Sequence, residues 1–549
     1  MGEWDAIVIG AGHNGLIAAC YLARAGKRVL VLERRDILGG ACVTEEVWPG
    51  YFVSTGAYLC SLLLPEVVRD LELERHGFSV YRRDTAGFAP FADGQHLFLY
   101  ADAERTRAEL ERFCHDTPED VDAFFRFEED VIRAAEIIEP MLNGEPPSEE
   151  QLRQEFARQG AEALYQDFVV GSVRALLDKR IQSEPLKAVL ATDGLIGTYG
   201  GPSTPGTAYV LLHHYLGRAV GGRGAWGYVR GGMGAITQAL ARSLTEAGGS
   251  VRTSAPVARL LTAPLHDGKG GQRRITGVEL EDGESLFASV VLSNADPYRT
   301  FQILLADTQP PLFTDANAAN AAPSWQRLKT SGGASVKINL AVTQLPQFRG
   351  QDTRDKIQEI REKREEDAIQ NPEHLGTVHL CPDVEYLERA WEEARSGYPS
   401  TEPMIEIYMQ TATDASLAPS GQHMVSLFVQ YFPYNLAPGL DLDTERERFT
   451  DRVFAIVERY APGFTASILH RQVLTPRDLE ARFGLTGGHI FHGDLLPPNL
   501  WDQRGQPQAR GPHTHIEGLY LCGSGAHPGG CVYGAPGVNA ANAVLADIL

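Results

Sequence analysis

The sequence predicts an α/β protein whose principal unit is a doubly wound parallel sheet assembled from both ends of the chain. Residues 1–33 read as strand, glycine turn, helix and second strand, and residues 518–549 read as strand, glycine-rich loop and terminal helix. Length adds a third observation. The 549 residues exceed the roughly 250–300 at which one hydrophobic core stops growing, so more than one packed unit is expected.

Taken in order, Ala6, Ile7, Val8 and Ile9 form a short apolar run of the kind buried on both faces of a parallel sheet. Residues 10–15 form a turn, 16–25 have helix-forming composition and stop at Gly26, and 29–32 form a second apolar strand closed by Glu33. From about 65 to 181 the pattern is mostly helical and acidic. A second informative zone starts near Arg223, where GAWGYVRGGMGAI leads into a helix over 236–247 ended by Gly248 and Gly249. Strands are expected at 250–254, 257–261, 277–280 and 289–292, with Asp282-Gly283 as a hairpin turn between two of them. Residues 335–342 and 424–431 have strand character, and the mixed-charge stretch 352–371 reads as an exposed helix.

Composition narrows the function classes. A net charge of −21, from 71 acidic and 50 basic residues, opposes binding along a phosphate backbone, so nucleic acid is not an expected partner. The seven cysteines form neither CxxC nor CxxxxC, and no Cys/His group has zinc spacing; reduced thiols and no metal are expected. No apolar run reaches the roughly 18 residues of a spanning helix. The expectation is a protein that is soluble or at most peripheral to a membrane, in the cytoplasm or another reducing compartment. Oligomeric state is not legible.

Gly10-Ala11-Gly12-His13-Asn14-Gly15 matches GxGxxG. The first glycine allows the tight turn, the second lets backbone approach a pyrophosphate, and the third lets helix and strand pack closely. The helix that follows aims its first amides at the phosphates, and Glu33 ends the second strand where a carboxylate accepts ribose hydroxyls. This unit serves NAD and FAD alike. Gly39-Gly40-Ala41, just past the acid, lets the chain run close to a long extended cofactor. At the other end, Gly523-Ser524-Gly525-Ala526-His527-Pro528-Gly529-Gly530 and Gly534-Ala535-Pro536-Gly537 precede a helix expected over 538–549. Such glycine density before a helix N-terminus suits close approach to a flat or anionic group and stabilises negative charge on a reduced flavin ring.

These segments resemble the phytoene desaturase-related flavoprotein family, which includes carotenoid desaturases and isomerases and retinol saturase, and within it the branch of pyridine nucleotide-disulphide oxidoreductase domain-containing protein 2. The resemblance rests on IVIGAGHNGLIAA with VLERRDILGGACVTEE, on TPGTAYVLLHH and GAWGYVRGGMGAI, and on GLYLCGSGAHPGGCVYGAPGVNAA, spread over nearly the whole chain. It implies a discontinuous, Rossmann-like FAD-binding domain (1–75, 225–300 and 505–549). It also implies a mixed-sheet substrate domain with helical cover (76–224 and 301–504). Carried onto this chain, it places Gly10, Gly12 and Gly15 at the pyrophosphate and Glu33 at the adenosine ribose. Arg34, Gly39 and Gly40 lie along the cofactor, the Val257 backbone meets adenine, and Gly523, Val538 and Asn539 lie along the ribityl chain and flavin. His13, Asn14, Ala41, Gly232, Met233, Ser524, Val532 and Gly537 complete the expected cofactor set. Two residues depart from the family pattern, Cys531 where relatives often have glycine and Val538 where they often have arginine. With no redox cysteine pair and no second GxGxxG unit, neither disulfide reduction nor a nicotinamide site is expected.

The function this implies is FAD-dependent oxidoreduction of an apolar polyene, isoprenoid or lipid-like substrate. Other readings stay open: a non-redox polyene isomerase, a flavin-containing regulatory or interaction protein with little turnover, and, more weakly, an amine oxidase. His527, in the flavin-side loop, is the candidate catalytic residue, with loop packing as its alternative. His213, His214, Trp226, Tyr228, His489 and His492 are further candidates, each of which also reads as ordinary core.

Overall fold

The computed structural model describes residues 3–265, 273–306, 328–349, 371–505, 509 and 511–548. The charged stretch 352–371 falls, except for its last residue, outside the described residues.

Every residue of the strands Ala6–Ile9, Val29–Leu32 and Val290–Ser293 is buried, as apolar strands covered on both faces must be. Among the described residues five strands form one parallel sheet in the order Leu519–Leu521, Val290–Ser293, Ala6–Ile9, Val29–Leu32, Ser250–Arg252. Strands from the first, middle and last parts of the chain thus lie side by side. The helix His13–Arg24 starts directly after the glycine turn, three residues earlier than its composition suggests, and is buried on nearly every side. The terminal helix Ala535–Asp547 packs on it so closely that a Cβ at Gly537 would lie 2.3 Å from the Asn14 carbonyl oxygen. Helix Gly234–Glu246 also packs on the first helix; the Cys20 thiol donates to the Leu240 carbonyl at 3.3 Å. A smaller sheet joins Val257–Pro264, Arg273–Leu280 and Ser285–Phe287 antiparallel, with Ile516–Glu517 parallel at its edge. The Asp282-Gly283 turn leads into the short strand Ser285–Phe287, and Val290–Ser293 joins the parallel sheet instead.

The second large sheet is mixed. Its order among the described residues is Ile468–Leu474, Ser335–Val342, His423–Gln430, Met404–Tyr408, Thr377–Leu380, Thr85–Pro90, His96–Tyr100, antiparallel throughout except between the fifth and sixth strands. The last two strands correct the helical reading of 65–181. They form a hairpin inside that zone, with Gly94 at φ 89° in its loop, and the Asp93-Gly94 pair was the turn signal for it. Val80–Arg82 is a further short strand in the zone, paired antiparallel with Gly227–Val229, and the zone is otherwise mostly helical, including Ala103–Phe113, Glu119–Ile138 and Glu149–Arg158. The first is capped by Asp102 and the third by a Ser148/Gln151 capping box. Among the described residues no helix is long and apolar enough to cross a membrane.

Candidate functional site

A cavity of about 660 Å³ runs from the glycine turn, at the carboxyl end of Ala6–Ile9, into the space between the mixed sheet and the helices. The turn lies where the strand order reverses direction, the usual ligand crevice of an open α/β sheet. Its walls at this end include Gly10, Gly12, His13, Asn14, Glu33, Arg34, Gly39, Gly40, Ala41 and Val257. Gly12 caps the first helix with no side-chain hydrogen bond and no acid in the first turn, which leaves that helix end free to meet an anion. Gly10 sits at φ 93°, in the left-handed region. The buried Glu33 carboxylate accepts from the Ala11 amide at 2.9 Å and the Arg35 amide at 3.0 Å, so it also fixes the turn's own shape. The Arg34 guanidinium donates to the carbonyls of Ala481 at 3.1 Å and Arg482 at 2.6 Å, tying this end to the far side of the cavity.

The other expected residues divide. Ser524 and Val532 line the cavity, and Asn14 Nδ2 donates to Ser524 Oγ at 3.3 Å across the two chain ends. Gly15, Gly523 and Gly537 are places of tight packing. A Cβ would lie 2.3 Å from the Gly10 oxygen at Gly15, 2.7 Å from the Asn294 oxygen at Gly523, and 2.3 Å from the Asn14 oxygen at Gly537. Gly232 and Met233 lie against the hairpin 44–54, where the Met233 amide donates to Ser54 Oγ at 3.0 Å. Asn539 points away toward the helical cover, accepting from the Gly144 amide at 2.8 Å and donating to the Leu142 carbonyl at 3.0 Å. Val538 follows Gly537 in the first turn of the terminal helix and packs against the core.

His527 is not among the cavity walls. Its ring is buried, with Nε2 2.9 Å from the Met141 carbonyl oxygen, and burial holds it down at about 4, so it sits as a neutral packing group. His213, Tyr228 and His489 are likewise in the core; His489 Nε2 lies 3.0 Å from Asp494 Oδ1. His214, Trp226 and His492 do reach the cavity, and burial pushes His492 down to about 4.

The far half of the cavity holds groups the sequence reading missed. Lys337, 3% exposed in a fully buried strand, donates from Nζ to Asn339 Oδ1 at 2.6 Å and lies 4.9 Å from the centre of the Tyr58 ring. Burial drives its amine well below the usual lysine range. Glu406 accepts from the Tyr408 hydroxyl and lies 3.4 Å from His379 Nδ1. Burial opposes its charge, yet the hydrogen bond and charge of His379, with the Tyr408 hydroxyl, hold the carboxyl below its ordinary range. Both Lys337 and Glu406 interrupt strands of β-branched and apolar residues, SVKINLAV and MIEIY. A charge at such a position was the available signal. Phe124, Phe125, Ile132, Val189, Leu190, Ile196 and Trp226 complete this half as an apolar wall, mostly from the helical cover.

Comparison with known proteins shows the family. The family model for flavin containing amine oxidoreductases matches residues 15–545. The chain belongs to the flavin containing amine oxidoreductase family. Within the family, it is 39% identical to pyridine nucleotide-disulfide oxidoreductase domain-containing protein 2 of Rattus norvegicus, over 100% of this chain and 94% of that protein. It is 25% identical to the neurosporene-forming phytoene desaturase of Rhodobacter capsulatus, over 100% and 94% respectively. In fold it matches an oxidoreductase from Methanosarcina mazei with a TM-score of 0.55 at 18% identity, over 98% of this chain and 99% of that one. The resemblance read from the sequence is thereby shown, as is the fold class.

This member of the flavin containing amine oxidoreductase family is an FAD-dependent oxidoreductase. Its residues fit the cofactor. Gly12 keeps the helix end bare, since a Cβ there would reach to 2.8 Å from Asn294 Nδ2, and the buried His13 Nε2 is without a protein partner. The turn 10–15 would hold the pyrophosphate, Glu33 the ribose, and the 255–257 backbone the adenine. Among the described residues no group of three or more His, Cys, Asp or Glu is placed to hold a metal ion.

Proposed function

We propose that the protein carries out FAD-dependent oxidoreduction of an apolar polyene, isoprenoid or other lipid-like chain. The observation that carries this is the apolar wall of Phe124, Phe125, Ile132, Val189, Leu190, Ile196 and Trp226, continuous with the dinucleotide end of one cavity. Bound FAD supplies the two-electron chemistry. The chain's own part is to bind, orient and dry the substrate. The helical cover keeps water from the chain, and the aromatic faces of Trp226 and Phe125 hold it. Removing hydrogen from carbon also releases a proton, and Lys337 Nζ, on the mixed-sheet side of the cavity with its amine lowered well below the usual lysine range by burial, is the group we assign to take it up. A substrate of this kind partitions into lipid, so transient contact with a membrane surface is part of the proposal.

The test is anaerobic mixing of FAD-loaded protein with squalene, farnesol and a fatty acyl ester, following the visible flavin band, beside extraction and mass spectrometry of lipids that co-purify. Bleaching by one of these chains supports the reading. Bleaching only by a short hydrophilic amine such as 1,4-diaminobutane refutes it.

A further inference from the structure

In the strand Ser335–Val342 the side chains of Val336, Ile338, Leu340 and Val342 belong to one apolar core, and Ser335, Lys337 and Asn339 share the opposite face. The register sets Asn339 directly between Ser426 of His423–Gln430 and Gln472 of Ile468–Leu474. Side chains opposed in this way stand about 5 Å apart at their Cβ atoms, close enough to bond. Asn339 Nδ2 donates to Gln472 Oε1 at 3.0 Å, and Ser426 Oγ donates to Asn339 Oδ1 at 3.0 Å. The same oxygen takes the Lys337 amine at 2.6 Å and is its one hydrogen-bond acceptor among the described residues. Asn339 itself is wholly buried and is not among the cavity walls, whereas Lys337 is. Around the amine, Phe428 and Leu474 stand opposite Lys337 in the two neighbouring strands, and the Tyr58 ring covers it. Tyr58 is the titratable group in contact, and burial pushes its hydroxyl well above the usual tyrosine range; Glu406, Tyr408, Cys531 and Asp193 act on that hydroxyl. Burial alone accounts for the lowered amine.

A lysine carries its nitrogen on four flexible carbons. With no carboxylate paired to it among the described residues, one acceptor decides where that nitrogen rests. We propose that Asn339 is a positioning residue for the proton acceptor, holding Lys337 Nζ at the cavity wall on a carbonyl oxygen whose own direction is fixed by Gln472 and Ser426. A carbonyl bonds an ammonium more strongly than an amine, so the same contact favours proton uptake against the burial that opposes it. This rests on the assignment of Lys337 in the reading above and adds the residue through which that lysine is placed and tuned.

The test is an NMR titration of FAD-loaded protein labelled with 13C at lysine Cε, the Lys337 resonance being the one that Lys337→Met lacks. In the parent it should half-protonate well below the usual lysine range. Asn339→Asp keeps the side-chain shape, and Gln472 can turn its amide to donate to the new carboxylate. The negative charge beside the amine should raise the midpoint by about 1–3 pH units. Asn339→Leu removes the acceptor and should lower it. An asparagine that only supported the sheet would change the melting temperature, recorded beside each titration, and leave the midpoint where it was. With whichever of squalene, farnesol and the fatty acyl ester bleaches the flavin, Asn339→Leu should slow reduction about tenfold or more at an unchanged half-saturating concentration, and the pH profile of Asn339→Asp should move with its midpoint. A midpoint unmoved in any folded variant, or a reduction profile that does not follow it, overturns the inference and leaves the apolar-chain reading standing. Opposite shifts in the two variants with bleaching only by 1,4-diaminobutane remove the apolar-chain reading and uphold the positioning of Lys337 by Asn339.

Discussion

Replacing Gly12 by valine separates the cofactor's needs from those of the fold. Gly12 has φ −72° and ψ 168°, an extended conformation that valine adopts readily, so backbone strain does not arise. The new Cβ would lie 2.8 Å from Asn294 Nδ2, which itself donates to the Gly10 oxygen at 3.2 Å. Moving that one side-chain amide is a local overpacking of about 1–3 kcal/mol. The effect on FAD is larger. The valine methyls would occupy the approach to the bare helix end, where two or three amides would bond the pyrophosphate. Charge-assisted bonds are worth about 1.5–3 kcal/mol each, so the loss is about 3–6 kcal/mol, or about 10²–10⁴-fold in Kd. The assay is flavin stoichiometry of the purified variant and FAD fluorescence titration of the apoprotein, beside the apoprotein melting curve. Gly12→Val should be colourless and folded. Gly15→Ala, whose Cβ would meet the Gly10 backbone oxygen at 2.3 Å, should fail in both respects. A yellow Gly12→Val protein with Kd within about threefold of the parent would refute the assignment of this turn to the pyrophosphate.

Lys337→Met removes a buried amine at little change in volume. The melting temperature should hold or rise, while flavin reduction by the substrate slows by about 10²-fold or more and loses its dependence on pH; an unchanged rate and profile would show that the amine takes no proton. Burial holds His13, His492 and His527 near about 4, below the ordinary imidazole value of 6.5. The unfolded chain therefore binds more protons between those values, so these groups leave the apoprotein at full stability above pH 6.5 and lower it as pH falls toward 4. Denaturant titrations at a series of pH values should show that slope, and His527→Gln should lessen it; a flat profile contradicts the burial argument. Arg504 is wholly enclosed and donates to the carbonyls of Phe491, Gly493, Asp494, Asn499 and Ser524. Arg504→Met should destabilise the protein by about 3–5 kcal/mol in chemical denaturation, with weakened FAD retention because the loop carrying His492 loses its anchor; unchanged stability would show those carbonyls to be satisfied otherwise.

What could be read in advance was whatever depends on neighbours in sequence. The turn 10–15 with its strand and helix, the acid at Glu33 and the glycine-dense tail each state a local requirement: a backbone that turns sharply, a helix end left bare, a carboxylate at a strand's tip. Those requirements are met within a few residues, so their pattern survives in the string. The hairpin Thr85–Pro90/His96–Tyr100 was missed because its setting is acidic and helical, although its Asp93-Gly94 turn was visible. The paired strands Ser335–Val342 and His423–Gln430 were legible from their own apolar runs, but their partners in the sheet were not.

The sequence by itself determined the dinucleotide-binding unit and the class of molecule it binds, because hydrogen bonding and chain entropy act there over short stretches. Only the tertiary structure decided which residues face the reacting space. Lys337, Glu406, Asp193 and Glu128 come from four separate elements, and nothing in their spacing brings them together. Burial shifts their titration, and at Glu406 the charge of His379 acts as well, quantities that exist only once the mixed sheet and its helical cover have closed over the cavity.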